Sequence, residues 1–197
     1  MNEESLVTDF IQVGNPRLRE IAKHIRAKTA RGIVSSVSKF VAKNVEYPLD
    51  YRGRPSAARS ARIFRWWNGF YLTDVSTGYG WLLPNQTVSV EKGICVDTAC
   101  LCTTLLRIKE IDARTILGAV LRSKDRRFIG LHAWTEFTTE KGSFVIETTV
   151  HPKPAPPIPC DALYGGKEEL TYDPIAWFSE REYHEDLEKV KHYGEIL

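Results

Sequence analysis

Three residues in this chain have the types needed for thiol chemistry: Cys95, His132 and Glu147. Cys95 stands in GICVDTACLCTTLLR (93–107), after a glycine and at the head of an apolar helical run. A thiol attacks as the thiolate. It needs a base to shuttle its proton and a third group to orient that base. Free N–H groups and the dipole at a helix start favour a thiolate. His132, in FIGLHAWTEFT (128–138), is the candidate base, and Glu147, in FVIETT (144–149), is the candidate orienting acid. Each residue also has a structural reading. A cysteine beside a helix is commonly a small buried hydrophobe, a strand histidine can be structural, and Glu147 can face solvent.

For these residues to meet, the strands must be in register. Residues 113–123, 128–138 and 144–149 are rich in β-branched and aromatic types, and short polar stretches join them. Consecutive antiparallel strands are the simplest reading. With Glu140 and Lys141 as a two-residue turn, Thr139 lies opposite Gly142, and His132 comes opposite Thr149. Glu147 is then the diagonal neighbour of His132 on the same face, about 7–8 Å away between backbones and within side-chain reach. A register shifted by one residue would put Glu147 on the other face.

Other elements surround this core. NPRLREIAKHIRAKTA (15–30) reads as a helix, with Asn15 as N-cap, Pro16 at its first position and Leu18, Ile21, Ala22 and Ile25 as its stripe. Gly32 is expected to break the pattern before a second helix over 33–47. Residues 48–80 read as irregular around the aromatic run Phe64, Trp66, Trp67, Phe70 and Tyr71. That run is either core or a recognition surface. Thr87 to Lys92 reads as one helical turn stopped by Gly93. The central helix is expected from Cys95 to about Lys109, burying Ala99, Cys102, Leu105 and Leu106. Asp97 suits its first turn as a structural residue. The proline-rich 152–160 reads as a surface crossing, and a last helix is expected from a Ser179–Glu182 capping box towards Lys191. Helices followed by a meander define an α+β class. The expectation is a single domain over 1–197, with its core at about 15–150 and a C-terminal crossing and helix at 151–197.

Composition excludes several classes. A net charge of +2 over 197 residues gives no reason to expect a nucleic-acid or membrane partner. No apolar run reaches the roughly 18 residues of a membrane span. The acidic start MNEESLVTDF lacks a leader pattern, so a cytoplasmic location is expected. Of the four cysteines, Cys95, Cys100 and Cys102 lie close together and Cys160 stands apart. Their C-x4-C-x-C spacing does not match paired zinc ligands, and free thiols are expected. No calcium-loop pattern is present.

The ordered set of motifs resembles the transglutaminase-like superfamily. Its pieces are Gly93-Ile94-Cys95-Val96-Asp97-Thr98-Ala99, Leu105-Leu106-Arg107, Ile111-Asp112-Ala113-Arg114, His132-Ala133-Trp134 and Glu147, preceded by VSKFVAKNVEY (37–47) and WLLPNQTVSVEKG (81–93). The resemblance covers roughly residues 15–150. It implies a papain-like α+β fold, with Cys95 as nucleophile, His132 as general base and acid, and Glu147 as orienting acid. It also implies an upstream oxyanion donor, for which Trp81 and Gln86 are both candidates, beside the Cys95 backbone N–H. The family's third member is usually Asp, and this chain has Glu. The implied reaction is acyl transfer on amide bonds of a protein, peptide or small amide, with hydrolysis expected ahead of transfer to an amine and no cofactor or metal. The alternative is a papain-like fold used as a binding or scaffold module.

Overall fold

The computed structural model describes residues 7–46, 81–149 and 154–195. The aromatic run at Phe64, Trp66, Trp67, Phe70 and Tyr71 lies outside them. Helix α1 spans Pro16–His24. The Asn15 side chain accepts from the backbone N–H groups of Arg17 and Leu18, and Pro16 fills the first turn without wasting a donor. Helix α2 spans Ala30–Asn44, capped by Thr29. The break between the helices therefore falls at 25–29, and Gly32 sits inside the first turn of α2 rather than ending α1. The Thr29 hydroxyl accepts the Gly32 N–H, so the cap overrides the weak helix propensity of glycine.

Helix α3 spans Pro84–Val90, longer than the single turn expected, and closes on Glu91 in the left-handed region, φ 56°. Helix α4 spans Cys95–Ile108. Every residue from Val96 to Leu106 is buried, so α4 is a central helix covered all round rather than on one stripe. Leu101, Cys102, Leu105 and Leu106 pack with Leu18 and Ala22 of α1 and Val34, Val37 and Val41 of α2.

Strands β1 (Ala113–Arg122), β2 (Phe128–Thr139) and β3 (Gly142–Ile146) form the expected meander. Thr139 lies opposite Gly142 and Thr135 opposite Ile146, the register that places His132 and Glu147 on one side. Strand β4 (Ile158–Pro159) adds to β3 and leads into the short helix α5 (Cys160–Tyr164). Strand β5 (Leu170–Phe178) pairs with β1, and β6 (Tyr183–Glu185) pairs with β5. The sheet is antiparallel throughout, in the order β4-β3-β2-β1-β5-β6. Helix α6 spans Leu187–Gly194 and is capped by Asp186. The Ser179–Glu182 capping box is instead a turn between β5 and β6: the Ser179 N–H donates to the Glu182 carbonyl, and the Ser179 hydroxyl accepts the Arg181 N–H.

Strand β5 has a proline at its centre, which hides it from a pattern reading. Pro174 is tolerated because the ladder with β1 slips there: Leu117 pairs with Ala176, Gly118 pairs with Pro174, and Ile175 is the extra residue of a bulge. β6 pairs only with residues 176–178, so the missing proline N–H removes no bond on that side.

A line of threonines joins α4 to the sheet. Thr115 Oγ1 donates to Thr103 Oγ1 (2.9 Å), Thr103 to Thr135 Oγ1 (3.3 Å), and Thr135 to the Ala99 carbonyl (3.0 Å). All three are fully buried, so each hydroxyl needs its partner. The opposite face carries Ile116, Trp134 and Val145. Trp134 lies against Gly118, where an added Cβ would sit 2.4 Å from Trp134 Cη2 and 2.4 Å from the Asp173 carbonyl oxygen. Neither neighbour can yield cheaply, because one is a buried ring and the other is backbone. Gly118→Ala is therefore expected to cost about 1–3 kcal/mol by overpacking, read as a lower urea midpoint. An unchanged midpoint would show that Trp134 has room to move.

Candidate active site

Cys95 is the first residue of α4 and stands among the N–H groups of the first turn that have no acceptor within the helix. Asp97 builds this start. Its Oδ2 accepts the Ile94 N–H (2.9 Å), and its Oδ1 accepts the Leu82 N–H (2.8 Å). The structural role expected of Asp97 is thus larger than a dipole contact: the buried carboxylate pins the Trp81–Leu83 segment to the head of α4.

Cys95 comes level with His132 because α4 and β2 are tied together. Thr135 bonds to Ala99, and Cys95 lies one turn before Ala99, about 6 Å back along the axis. β2 covers a similar distance, about 6.6 Å, between Thr135 and Ala133. The head of the helix therefore comes level with residues 132–133. The Cys95 thiol lies close enough to the His132 imidazole to help raise its pKa. On its other side, His132 Nε2 lies 2.8 Å from Glu147 Oε2, which leaves Nδ1 as the nitrogen for the thiol.

Glu147 lies just beyond the end of β3, where the chain turns out of the ladder. Its Oε1 accepts from the Thr149 N–H (2.9 Å) and hydroxyl (2.6 Å), while Oε2 accepts from His132 and from the Tyr172 hydroxyl (2.7 Å). The next residue, Thr148, shares a 2.9 Å hydroxyl contact with Thr98 in the first turn of α4, and the Thr98 hydroxyl also bonds the Cys95 carbonyl. The segment carrying the carboxylate is thereby tied to the turn carrying the thiol.

The His132 and Glu147 side chains are 16% and 13% exposed, so solvent screens the pair little. Burial alone would disfavour the imidazolium. The Cys95 thiol and the Glu147 carboxylate outweigh it and raise the His132 pKa to about 10. Burial likewise opposes the Glu147 carboxylate, but His132 and Thr149 outweigh it and lower that pKa to about 2. The other thiols differ. Cys100 and Cys102 are fully buried and Cys160 nearly so. Burial pushes Cys100 well up, and Cys102 and Cys160 to about 12.

Of the two upstream candidates, Trp81 packs in the same apolar cluster as Cys95, edge-on to Phe10 at 5.3 Å. Gln86 is committed elsewhere: its Oε1 accepts the Leu83 N–H and closes the start of α3. Trp134 is fully buried core, its Nε1 donating to Tyr164. Sequence reasoning missed Tyr172, Thr149 and the Thr98–Thr148 tie. The hydroxyl residues carry no spacing signal, and Tyr172 sits on the proline-interrupted β5.

The architecture is α+β. Residues 83–147 match the profile of the family described as the transglutaminase-like superfamily, a span that contains Cys95 and His132 and ends on Glu147. No curated protein matches the sequence. Among solved structures, Legionella pneumophila LapG is similar at 13% identity and TM-score 0.50, over 96% of this chain and 91% of that one. Its EGTA-treated form is similar at 13% identity and TM-score 0.51, over 91% and 83%. A Cytophaga hutchinsonii protein described as a candidate cysteine protease gives 16% identity and TM-score 0.47, over 90% of this chain. This chain spans about half of that protein's length, 52%. At these identities the likeness is one of fold.

The shifts of His132 and Glu147 predict how stability follows pH. Glu147 is depressed from 4.5, so its stabilisation is present above that value and is lost as pH falls towards about 2. His132 is raised from 6.5, so its stabilisation is complete below that value and is lost as pH rises through about 10. Both shifts describe one pair. The stability lost in Glu147→Gln should therefore be largest between 4.5 and 6.5 and shrink on either side. Urea unfolding across pH tests this, and a gap that stays constant from about pH 3 to 10 would rule out the charged pair.

Proposed function

We propose that the protein is a thiol-dependent hydrolase of amide bonds in a protein, peptide or small amide, with Cys95, His132 and Glu147 as its triad. The observation that carries this reading is His132 bonded at 2.8 Å to the Glu147 carboxylate, beside the thiol of Cys95 at the head of α4. His132 takes the Cys95 proton, and Sγ attacks the carbonyl carbon to form a C–S bond. The negative charge passes to the carbonyl oxygen, where the Cys95 backbone N–H and the Trp81 indole are the proposed donors. Trp81 is preferred over Gln86 because it packs in the same apolar cluster as Cys95, whereas the Gln86 side chain folds back onto the start of α3. As the C–N bond breaks, His132 returns the proton to the leaving amine. Water, deprotonated by His132, then attacks the thioester and releases the acid and the thiol. Glu147 keeps the imidazole oriented and stabilises the imidazolium throughout.

This acid–base sequence is complete without a cofactor. Hydrolysis is proposed ahead of transfer because water is the acceptor already present in solution, and an amine product would show transfer instead. Four free thiols suit the reducing cytoplasm as location. Among the described residues, no helix is long and apolar enough to cross a membrane.

Iodoacetamide labelling as a function of pH tests the triad. In the wild type, Cys95 should be the thiol that reacts, while buried Cys100, Cys102 and Cys160 stay unlabelled. His132→Ala should move the profile to higher pH and cut turnover by about 10²–10⁴-fold. Cys95→Ser should abolish hydrolysis of any amide found in a library screen while keeping the wild-type melting curve. Coincident wild-type and His132→Ala profiles would remove the triad and leave the binding or scaffold reading.

A further inference from the structure

Tyr172 lies outside the segment that matches the transglutaminase-like profile, yet it touches both His132 and Glu147. Its hydroxyl donates to Glu147 Oε2, the same oxygen that bonds His132. Its ring stands edge-on to the imidazole, 5.7 Å between centroids at 89°, and 4.8 Å from Trp134. A glutamate has one more rotatable bond than the aspartate usual at this place and loses more rotamer freedom when fixed. A carboxylate can take about four hydrogen bonds. Here the four donors are Thr149 N–H, Thr149 Oγ1, His132 Nε2 and Tyr172 Oη.

These donors constrain the carboxylate differently. Thr149 is two residues along the same segment and moves with it. His132 is the group to be positioned. Tyr172 is the donor anchored in another part of the fold. Its backbone pairs with Val120 of β1, and its neighbour Asp173 is held by α6, accepting from Lys189 Nζ (2.5 Å) and Tyr193 Oη (2.7 Å). Lys189 also bonds the Pro174 carbonyl at 3.0 Å.

Resting on the triad proposed above, we infer that Tyr172 is a positioning residue that holds the Glu147 carboxylate against His132 Nε2, with β5 and α6 as the frame that keeps it there. The groups facing the imidazole are Cys95 from α4, Glu147 from the end of β3 and Tyr172 from β5. Burial and the adjacent Glu147 hold the Tyr172 hydroxyl in its neutral form, so it acts as a donor and adds no charge.

Tyr172→Phe removes the hydroxyl and keeps the ring packed against His132 and Trp134. NMR titration of the His132 ring, with hydrolysis kinetics alongside, separates positioning from packing. The wild type and Glu147→Gln set the two ends of the scale. In Tyr172→Phe the His132 midpoint should fall towards that of Glu147→Gln by about half to one pH unit. kcat should fall by about 3–10-fold with KM unchanged. Lys189→Met, which loosens the frame without touching the site, should give a smaller shift in the same direction, and it serves if Tyr172→Phe does not fold. An unchanged midpoint in either variant overturns the inference, and so does a rise, which would mean that the hydroxyl competes with His132 for the carboxylate. If Glu147→Gln itself leaves both the His132 midpoint and Cys95 alkylation at wild-type values, the triad is wrong. If Glu147→Gln shifts both and Tyr172→Phe shifts neither, only the role of Tyr172 fails.

Discussion

The register of the β2–β3 hairpin is the constraint on which the candidate site depends. Thr139 opposite Gly142 puts Glu147 on the His132 side of the sheet, and a slip of one residue would turn the carboxylate to the face covered by α4. That outcome would be costly, because the α4 face at this level is dry. Ala133, Thr135 and Phe137 point into it, against Ala99 and Leu101. The apolar set of β2 and the threonine line to α4 therefore select the register that brings an acid to His132. Gly142, at φ 115°, starts β3 directly after the turn in a backbone conformation that favours glycine.

Holding an ionised pair in a poorly solvated place needs compensation, and the fold supplies it through hydrogen bonds from neighbouring residues. The Glu147 carboxylate receives four donors, one of them the imidazole. A second buried carboxylate on the same face is treated in the same way. Glu136 is paired with Arg114 and accepts from the Tyr164 hydroxyl, which in turn accepts the Trp134 N–H. Arg114 lies over Trp177, 4.7 Å from its ring centre. Aromatic residues therefore separate two charged groups on one face, and each group is satisfied locally. Breaking either pair would strand a charge in low dielectric.

The helix head is built by the same logic. Cys95 stands at the N-terminus of α4, and Asp97 fixes that start by accepting from Ile94 and Leu82. One carboxylate thus sets the helix start and the approach of Trp81. The C-terminal end is anchored at the far side, where Arg107 bonds Glu180 with two of its nitrogens and Asp112 with a third. A central helix buried all round needs both ends satisfied, since its terminal groups have little solvent to turn to.

Local chemistry made much of this legible. Asn15 and Pro16 mark the start of α1, the apolar run marks α4, and the β-branched stretches mark β1 to β3, because caps, turns and alternation act between near neighbours. The sequence permits the β2–β3 register that the structure shows but does not fix it. The α1–α2 break was misplaced at Gly32, since the Thr29 cap three residues earlier outweighs the glycine. The Ser179–Glu182 spacing was taken for a helix start, although Asp186 holds that role and the earlier pair closes a turn. Strand β5 stayed hidden because Pro174 is acceptable only where a bulge with β1 absorbs it, a fact of pairing across some 56 residues. By itself the sequence determined which residues can do chemistry and which elements carry them. Only the tertiary structure decided that Tyr172 joins His132 and Glu147, and that Asp97 ties the Trp81–Leu83 segment to the head of α4. Those assignments depend on side chains from distant segments meeting in space, and no local periodicity encodes such meetings.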